Sequence, residues 1–266
     1  MGFDDIMRPD PMVKLPELRR GASVVAVIQA RMGSERLPGK VLRELPGGTV
    51  LEHVIRRVRL AVGMGRVVVA TTTLSRDDRV ASVARDAGAL VTRGAESDVL
   101  ARFVQAFDEH GGEVGVRVTG DCPLLDPQMV VIAIRRFLEA VPPVDYLSNT
   151  LERTYPRGYD IEIFSVASLR LAAAATTDPA HREHVTPYLY RNPARFRLAS
   201  VTRPDPEGTA SWRLTLDTLE DWRLIQHLFG ALWSRNPAFG LREVEEYLRA
   251  NPGLLQINQH VKQASE

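Results

Sequence analysis

Residues 23–31 read SVVAVIQAR, and the uninterrupted apolar run Val24–Ile28 between polar neighbours decides the fold class. A strand that faced water on one side would alternate polar and apolar residues. A continuous run predicts a strand buried on both faces, as in a parallel sheet covered by helices. Outward from it the pattern repeats. TVLEHVIRRVRLAV (49–62) carries Val50, Leu51, Val54, Ile55, Val58 and Ala61 at helical spacing, with Arg56, Arg57 and Arg59 outside. RVVVATTT (66–73) predicts a second buried strand, DDRVASVARDAG (77–88) a helix stopped at Gly88, and ALVTRG (89–94) a third strand. A helix through DVLARFVQAFDEHGG, the strand GVRVTGD, a helix opened by Pro127 and capped by Asp126, and the strand VDYLSNT follow. Alternation of this kind implies right-handed βαβ units in a mainly parallel, three-layer α/β sandwich with helices on both faces.

From about residue 151 the rhythm changes. ERTYPRGYDIEIFS alternates polar and apolar residues and predicts a smaller antiparallel insertion, a substrate lid or dimer arm, spanning about 151–210. RFRLASVTRP and SWRLTLD predict further strands, and LEDWRLIQHLFGALW and LREVEEYLRAN two closing helices. Residues 1–22 lack apolar periodicity and read as a flexible extension, 23–250 as a single domain and 251–266 as a tail.

The 266 residues hold 34 Lys and Arg against 33 Asp and Glu, a balance that argues against a nucleic-acid partner. The N-terminus lacks a signal-peptide pattern and no apolar run suits a bilayer, so a cytoplasmic protein with no membrane partner is expected. One cysteine excludes an intrachain disulfide and a cysteine-rich zinc site. Any metal is therefore expected on oxygen ligands.

In an open α/β sheet, ligands gather at the carboxyl ends of the strands. The loop after the first strand, Arg31-Met-Gly-Ser-Glu-Arg-Leu-Pro-Gly-Lys40, offers Gly33 and Gly39 for close backbone approach, Ser34 as a donor, and the cations Arg31, Arg36 and Lys40. Amide donors and clustered charge suit phosphate. Five residues separate the glycines and Val41 follows Lys40, so the loop is not a Walker P-loop, and G-x-G-x-x-G is missing too. Asp121 ends the strand GVRVTGD, and Asp217 ends WRLTLD, where a helix-capping role is the alternative.

AVIQARMGSERLPGKVL resembles the opening of the sugar cytidylyltransferase superfamily, which includes the CMP-Kdo synthetases and acylneuraminate cytidylyltransferases, and most closely its spore coat polysaccharide biosynthesis protein F subgroup. GDCPLLD resembles the superfamily's Gly-Asp-x-Pro-Leu segment, and LDTLEDW its Val-Asp-Thr-Pro-Glu-Asp-Leu, with Leu219 in place of proline. The likeness covers roughly residues 23–245. It implies a Rossmann-like, GT-A-like nucleotidyltransferase that joins CMP from CTP to a sugar-type acceptor and releases pyrophosphate. On that likeness Asp121 and Asp217 hold Mg2+, and Arg31, Lys40 and Asp121 are catalytic. The nucleotide contacts are Ala30, Arg31, Met32, Gly33, Ser34, Arg36, Lys40, Thr71, Arg93, Asp98 and Asp121. TRGAESDVLARF carries Arg93 and Asp98, with Ala95 where the family has serine, although Asp98 can equally start its helix.

YPRGYDIEIF and AHREHVTPYLYRN resemble acceptor-side segments of the subgroup. They imply Tyr155, Arg157, Asp160, Glu162 and His184 as acceptor contacts, against the alternative of a solvated hairpin face. Arg182 and Glu183 read as a mutual pair, and Cys122 as a small packed residue rather than a nucleophile. The resemblance also suggests a homodimer paired through residues 151–165. Two other functions fit such a chain: a glycosyltransferase of the same architecture, which would carry Asp-x-Asp where this sequence has GDCP, and a catalytically silent nucleotide-sugar binding protein.

Overall fold

The computed structural model describes residues 22–62, 65–204 and 208–262. The expected N-terminal extension lies outside them apart from Ala22. Seven strands form one sheet in the order β5-β4-β1-β6-β8-β7-β9. They are β1 (Val24–Gln29), β4 (Arg66–Thr72), β5 (Leu90–Gly94), β6 (Val114–Thr119), β7 (Tyr146–Ser148), β8 (Glu162–Ser165) and β9 (Leu198–Ser200). β1 pairs in parallel with β4 and β6, and β4 with β5. β8 runs antiparallel to both β6 and β7. A separate two-stranded antiparallel sheet joins β2 (Glu44–Leu45) to β3 (Gly48–Thr49).

The helices are α1 (Val50–Val62), α2 (Asp78–Asp86), α3 (Val99–His110), α4 (Pro127–Glu139), α5 (Val166–Ala175), α6 (Pro179–His184), α7 (Pro187–Tyr190), α8 (Leu219–Leu232) and α9 (Leu241–Ala250). The pleat sorts the β1 side chains to two cores. Val24, Ala26 and Ile28 pack with residues of α1, α2, α4, α8 and α9, while Val25 and Val27 pack with α3 and α5. Each fully buried valine or isoleucine here stabilises the fold by roughly 1.5–3 kcal/mol relative to exposure. This double burial is the physical meaning of the unbroken apolar run. No helix of the described residues is long and apolar enough to cross a membrane.

The antiparallel strand expected within 151–165 is β8, which enters the main sheet between β6 and β7. Three sequence expectations need correction. Arg57, expected on the outer face of its helix, is buried and donates to the Leu125 and Phe239 carbonyls. SWRLTLD forms no strand of its own. Arg213 makes a single bridge to Arg157, and the chain there follows the loop that carries Arg157, with Leu214 N–H donating to the Arg157 carbonyl at 2.7 Å. The domain also does not end at residue 250. Pro252–Ile257 forms a 3-10 helix whose Leu254, Leu255 and Ile257 pack against the larger core, and Asn258 beyond it is buried.

Candidate active site

The carboxyl ends of β1, β4 and β6 lie side by side, so the loops after them converge. Gly39 takes a left-handed turn at φ 68°, its N–H returns to the Met32 carbonyl at 3.2 Å, and the loop after β1 closes on itself. A 3-10 helix, Lys40–Leu42, follows at once and buries Val41 and Leu42. Those two side chains anchor Lys40 so that its ammonium crosses the cleft.

Lys40 Nζ donates to Asp121 Oδ2 at 2.6 Å and to Asp217 Oδ1 at 2.7 Å. Asp121 follows β6, and Asp217 immediately precedes the N-cap of α8. Thr218 and Asp221, not Asp217, form the capping box of α8. The capping alternative for Asp217 therefore fails, and its carboxylate is free to face the cleft. Burial alone would lower the lysine's pKa, but the two carboxylates outweigh it and hold the ammonium above its ordinary range. Burial would likewise raise the Asp121 pKa, and attraction and hydrogen bonding from Lys40 bring it below the usual aspartate value. Asp217 also pairs with Arg36 at 3.2 Å and Arg213 at 2.7 Å. Two carboxylates that already share one cation fit the requirement of Mg2+ or Mn2+ for one or two protein oxygens plus phosphate and water.

Two cavities flank this point. One, of about 790 Å3, is lined by Arg31, Met32, Gly33, Ser34, Glu35, Pro38, Gly39, Arg76 and Glu96. Arg31 there pairs with Glu96 at 3.2 Å and Glu183 at 3.7 Å, and Arg76 also pairs with Glu96. The other, of about 650 Å3, is polar; its walls include Arg36, Asp121, Arg153, Arg157, Asp160, Glu162, His184 and Asp217. Arg36 therefore faces the second cavity, not the one that Arg31 lines.

Several predicted nucleotide contacts stand behind these walls. Ala30 is buried and donates its N–H to the Ala70 carbonyl, and Thr71 is fully buried. Arg93 is held by the Thr72 and Leu74 carbonyls and by Asp78, which organises the loop after β4. Asp98 caps α3 through the Ala101 N–H and pairs with Arg182 at 2.6 Å. Arg182 and Glu183 are thus not a mutual pair; each reaches a different element, because the short helix α6 turns them apart.

In the second cavity, Asp160 and Glu162 share one face while Ile161 and Ile163 are buried, as period-2 alternation predicts. Both carboxylates are already partnered. Arg153 grips Asp160 in a two-pronged pair at 2.6 and 3.1 Å. Glu162 accepts from its cross-strand neighbour Arg117, from Tyr146 at 3.0 Å and from Thr186. Tyr155 lies in the core under Arg203, not on the cavity wall. Gly158, at φ 104°, lets the loop approach the 213–215 backbone; a Cβ there would collide with the Leu214 carbonyl. Cys122 is buried, and burial together with the neighbouring Asp121 raises its pKa well above the ordinary thiol value, against thiolate chemistry.

Arg117, Arg153, Arg213, Glu96 and Asp221 belong to the ion-pair network of the candidate site, and sequence reading missed them. One signal was available: Arg117 is a lone charge inside the buried strand VGVRVT, where a partner is obligatory. Partner identity for the others depends on chain crossings.

A family model described as cytidylyltransferase matches residues 25–239. The chain belongs to the cytidylyltransferase family. Among relatives of this cytidylyltransferase is the spore coat polysaccharide biosynthesis protein SpsF of Bacillus subtilis, 32% identical over 86% of this chain and 95% of the relative. A 3-deoxy-manno-octulosonate cytidylyltransferase of Mesorhizobium japonicum is 34% identical over 69% of this chain and 81% of its own. A solved cytidylyltransferase structure from Leptospira borgpetersenii superposes with a TM-score of 0.83 at 30% identity, covering 92% of this chain and all of that one. The cytidylyltransferase is accordingly a nucleotidyl-transferring enzyme, and its mostly parallel sheet is that of the nucleotidyltransferase fold.

Proposed function

We propose that this cytidylyltransferase moves CMP from CTP to a hydroxyl of a sugar or sugar acid, with Mg2+ and release of pyrophosphate. The observation that carries the reading is the convergence of Asp121 and Asp217 on one cation, between a cavity walled by the glycine- and arginine-bearing loop and a cavity walled by polar side chains. In-line displacement needs the attacking hydroxyl to approach the α-phosphorus opposite the leaving pyrophosphate, which substrates held in separate cavities would allow.

Asp121 and Asp217 would hold the metal, which when bound neutralises charge on the triphosphate and the leaving pyrophosphate. Arg31 and the backbone of residues 32–34 bind the triphosphate, Arg31 exchanging its carboxylate partners for phosphate oxygens. Lys40 has the reach to leave the two carboxylates and neutralise the α-phosphate as it becomes five-coordinate. Arg157 and His184 line the acceptor cavity and orient an anionic or hydroxyl-bearing acceptor. Catalysis thus rests on positioning and charge neutralisation. The reading includes a homodimer, supported by the resemblance alone, and the cytoplasmic location that the sequence analysis expects; light scattering and cell fractionation test them.

The direct test is pyrophosphate release from CTP and Mg2+ with a panel of 3-deoxy-2-keto acids, nonulosonic acids and neutral sugars. Release with at least one acceptor, dependent on metal, is expected. No release with any, alongside tight binding of an intact nucleotide sugar, would favour a binding protein instead.

A further inference from the structure

Asp217 sits on a loop between an irregular segment and α8. What holds it is a buried assembly behind the cleft. Arg213 Nη2 donates to Asp217 Oδ2 at 2.7 Å and to Asp221 Oδ2 at 2.9 Å, and its Nε donates to Asp221 Oδ1 at 2.9 Å. Asp221, with no exposed surface, also accepts the N–H groups of Asp217 and Thr218, each at 3.0 Å. Asn258, only 2% exposed, closes the assembly from the C-terminal segment. Its Nδ2 donates to Asp221 Oδ1 at 2.8 Å and to the Arg213 carbonyl at 2.9 Å.

We infer that Asn258 is a positioning residue for the metal site, acting through Asp221 and Arg213 on Asp217. Asp221 has two oxygens and five donors around them, so its charge is spent on holding the Asp217 backbone and Arg213. Arg213 then has one direction left for Asp217, and that direction is fixed by its own two-point grip on Asp221. Asn258 supplies the neutral donor that completes Asp221 Oδ1 and clamps the Arg213 backbone in the same stroke. An aspartate in its place would keep the shape and lose the donors. The new carboxylate would compete with Asp217 for Arg213, turning the guanidinium away from the cleft. Outer hydrogen-bond partners of metal-holding carboxylates commonly change metal affinity about 10- to 100-fold.

This inference rests on the metal assignment proposed above, and the experiment separates the two. Mn2+ binding to the full chain in the presence of CTP is measured by electron paramagnetic resonance for the parent, Asn258→Asp, Asn258→Ala, Asp217→Asn and the core control Val244→Ala. Expected are a loss of affinity of at least about 10-fold for Asn258→Asp, a smaller loss for Asn258→Ala, and parental affinity for Val244→Ala despite its lower melting temperature. Parental affinity in folded Asn258→Asp, with Asp217→Asn impaired, would overturn this inference alone. An equal loss in Val244→Ala would reduce Asn258 to a general structural role and overturn it too. Parental affinity in Asp217→Asn would bring down the metal assignment and this inference with it.

Discussion

Lys40 Nζ donates to Asp121 Oδ2 across 2.6 Å, joining the loop after β1 to the end of β6. The same ammonium reaches Asp217, so it occupies the position between two carboxylates that a divalent cation would share. Lys40→Met should therefore destabilise the protein by about 2–4 kcal/mol in the absence of metal, because two close carboxylates lose their common counter-ion. Mn2+ should restore more melting temperature to the variant than it adds to the parent. Thermal denaturation with and without Mn2+ checks this; equal shifts in both proteins would contradict it.

Asp121→Asn preserves shape and removes one metal-binding charge. Turnover should fall by about 10²- to 10³-fold or more, with the far-ultraviolet circular dichroism spectrum unchanged. Pyrophosphate release is the measurement, and full activity would remove Asp121 from the metal site.

Arg157 lines the acceptor cavity, whereas the neighbouring Arg153 and Arg117 are committed to Asp160 and Glu162. Arg157→Ala should raise the KM for an anionic acceptor about 10-fold or more and leave the KM for CTP within about two-fold. Steady-state kinetics with each substrate varied in turn would reveal the split.

His53 is buried against Phe229 and Trp233, and burial together with Arg56 and Arg57 lowers its pKa to about 4. Its folded pKa lies below the unfolded value near 6.5, so the unfolded chain binds the proton first as pH falls. The neutral ring contributes stability that is complete above pH 6.5 and is lost progressively down to about pH 4. The loss approaches about 3 kcal/mol. Urea unfolding from pH 7.5 to 4.5 should show this slope in the parent and a shallower one in His53→Phe. Parallel slopes would show that other groups carry the acid sensitivity.

Periodicity made the parallel half of the fold legible, since β1 and β4 hold apolar runs that only double burial explains, and β6 is one interrupted by Arg117. The loop after β1 stood out as a cavity wall because its glycines and cations fall within ten residues. Pairing across the cleft was not. That Arg182 serves Asp98 and Glu183 serves Arg31 depends on where α6 crosses α3, which no local pattern encodes. The same holds for β8, whose alternation announced a strand facing two environments but not its place inside the main sheet. Asn258 was invisible for a further reason: a single buried asparagine beyond the last amphipathic helix has no periodic neighbours to mark it.

The reversed direction of β8 has a consequence for how such an enzyme can diversify. Because β8 enters the sheet where β6 leaves it, Asp160 and Glu162 arrive at the cleft from a different stretch of chain than the loop after β1. On the proposed division of the cleft, exchanging residues 150–162 would alter the acceptor wall and leave the nucleotide wall intact, so new acceptors would be acquired in inheritance without rebuilding the machinery that activates them.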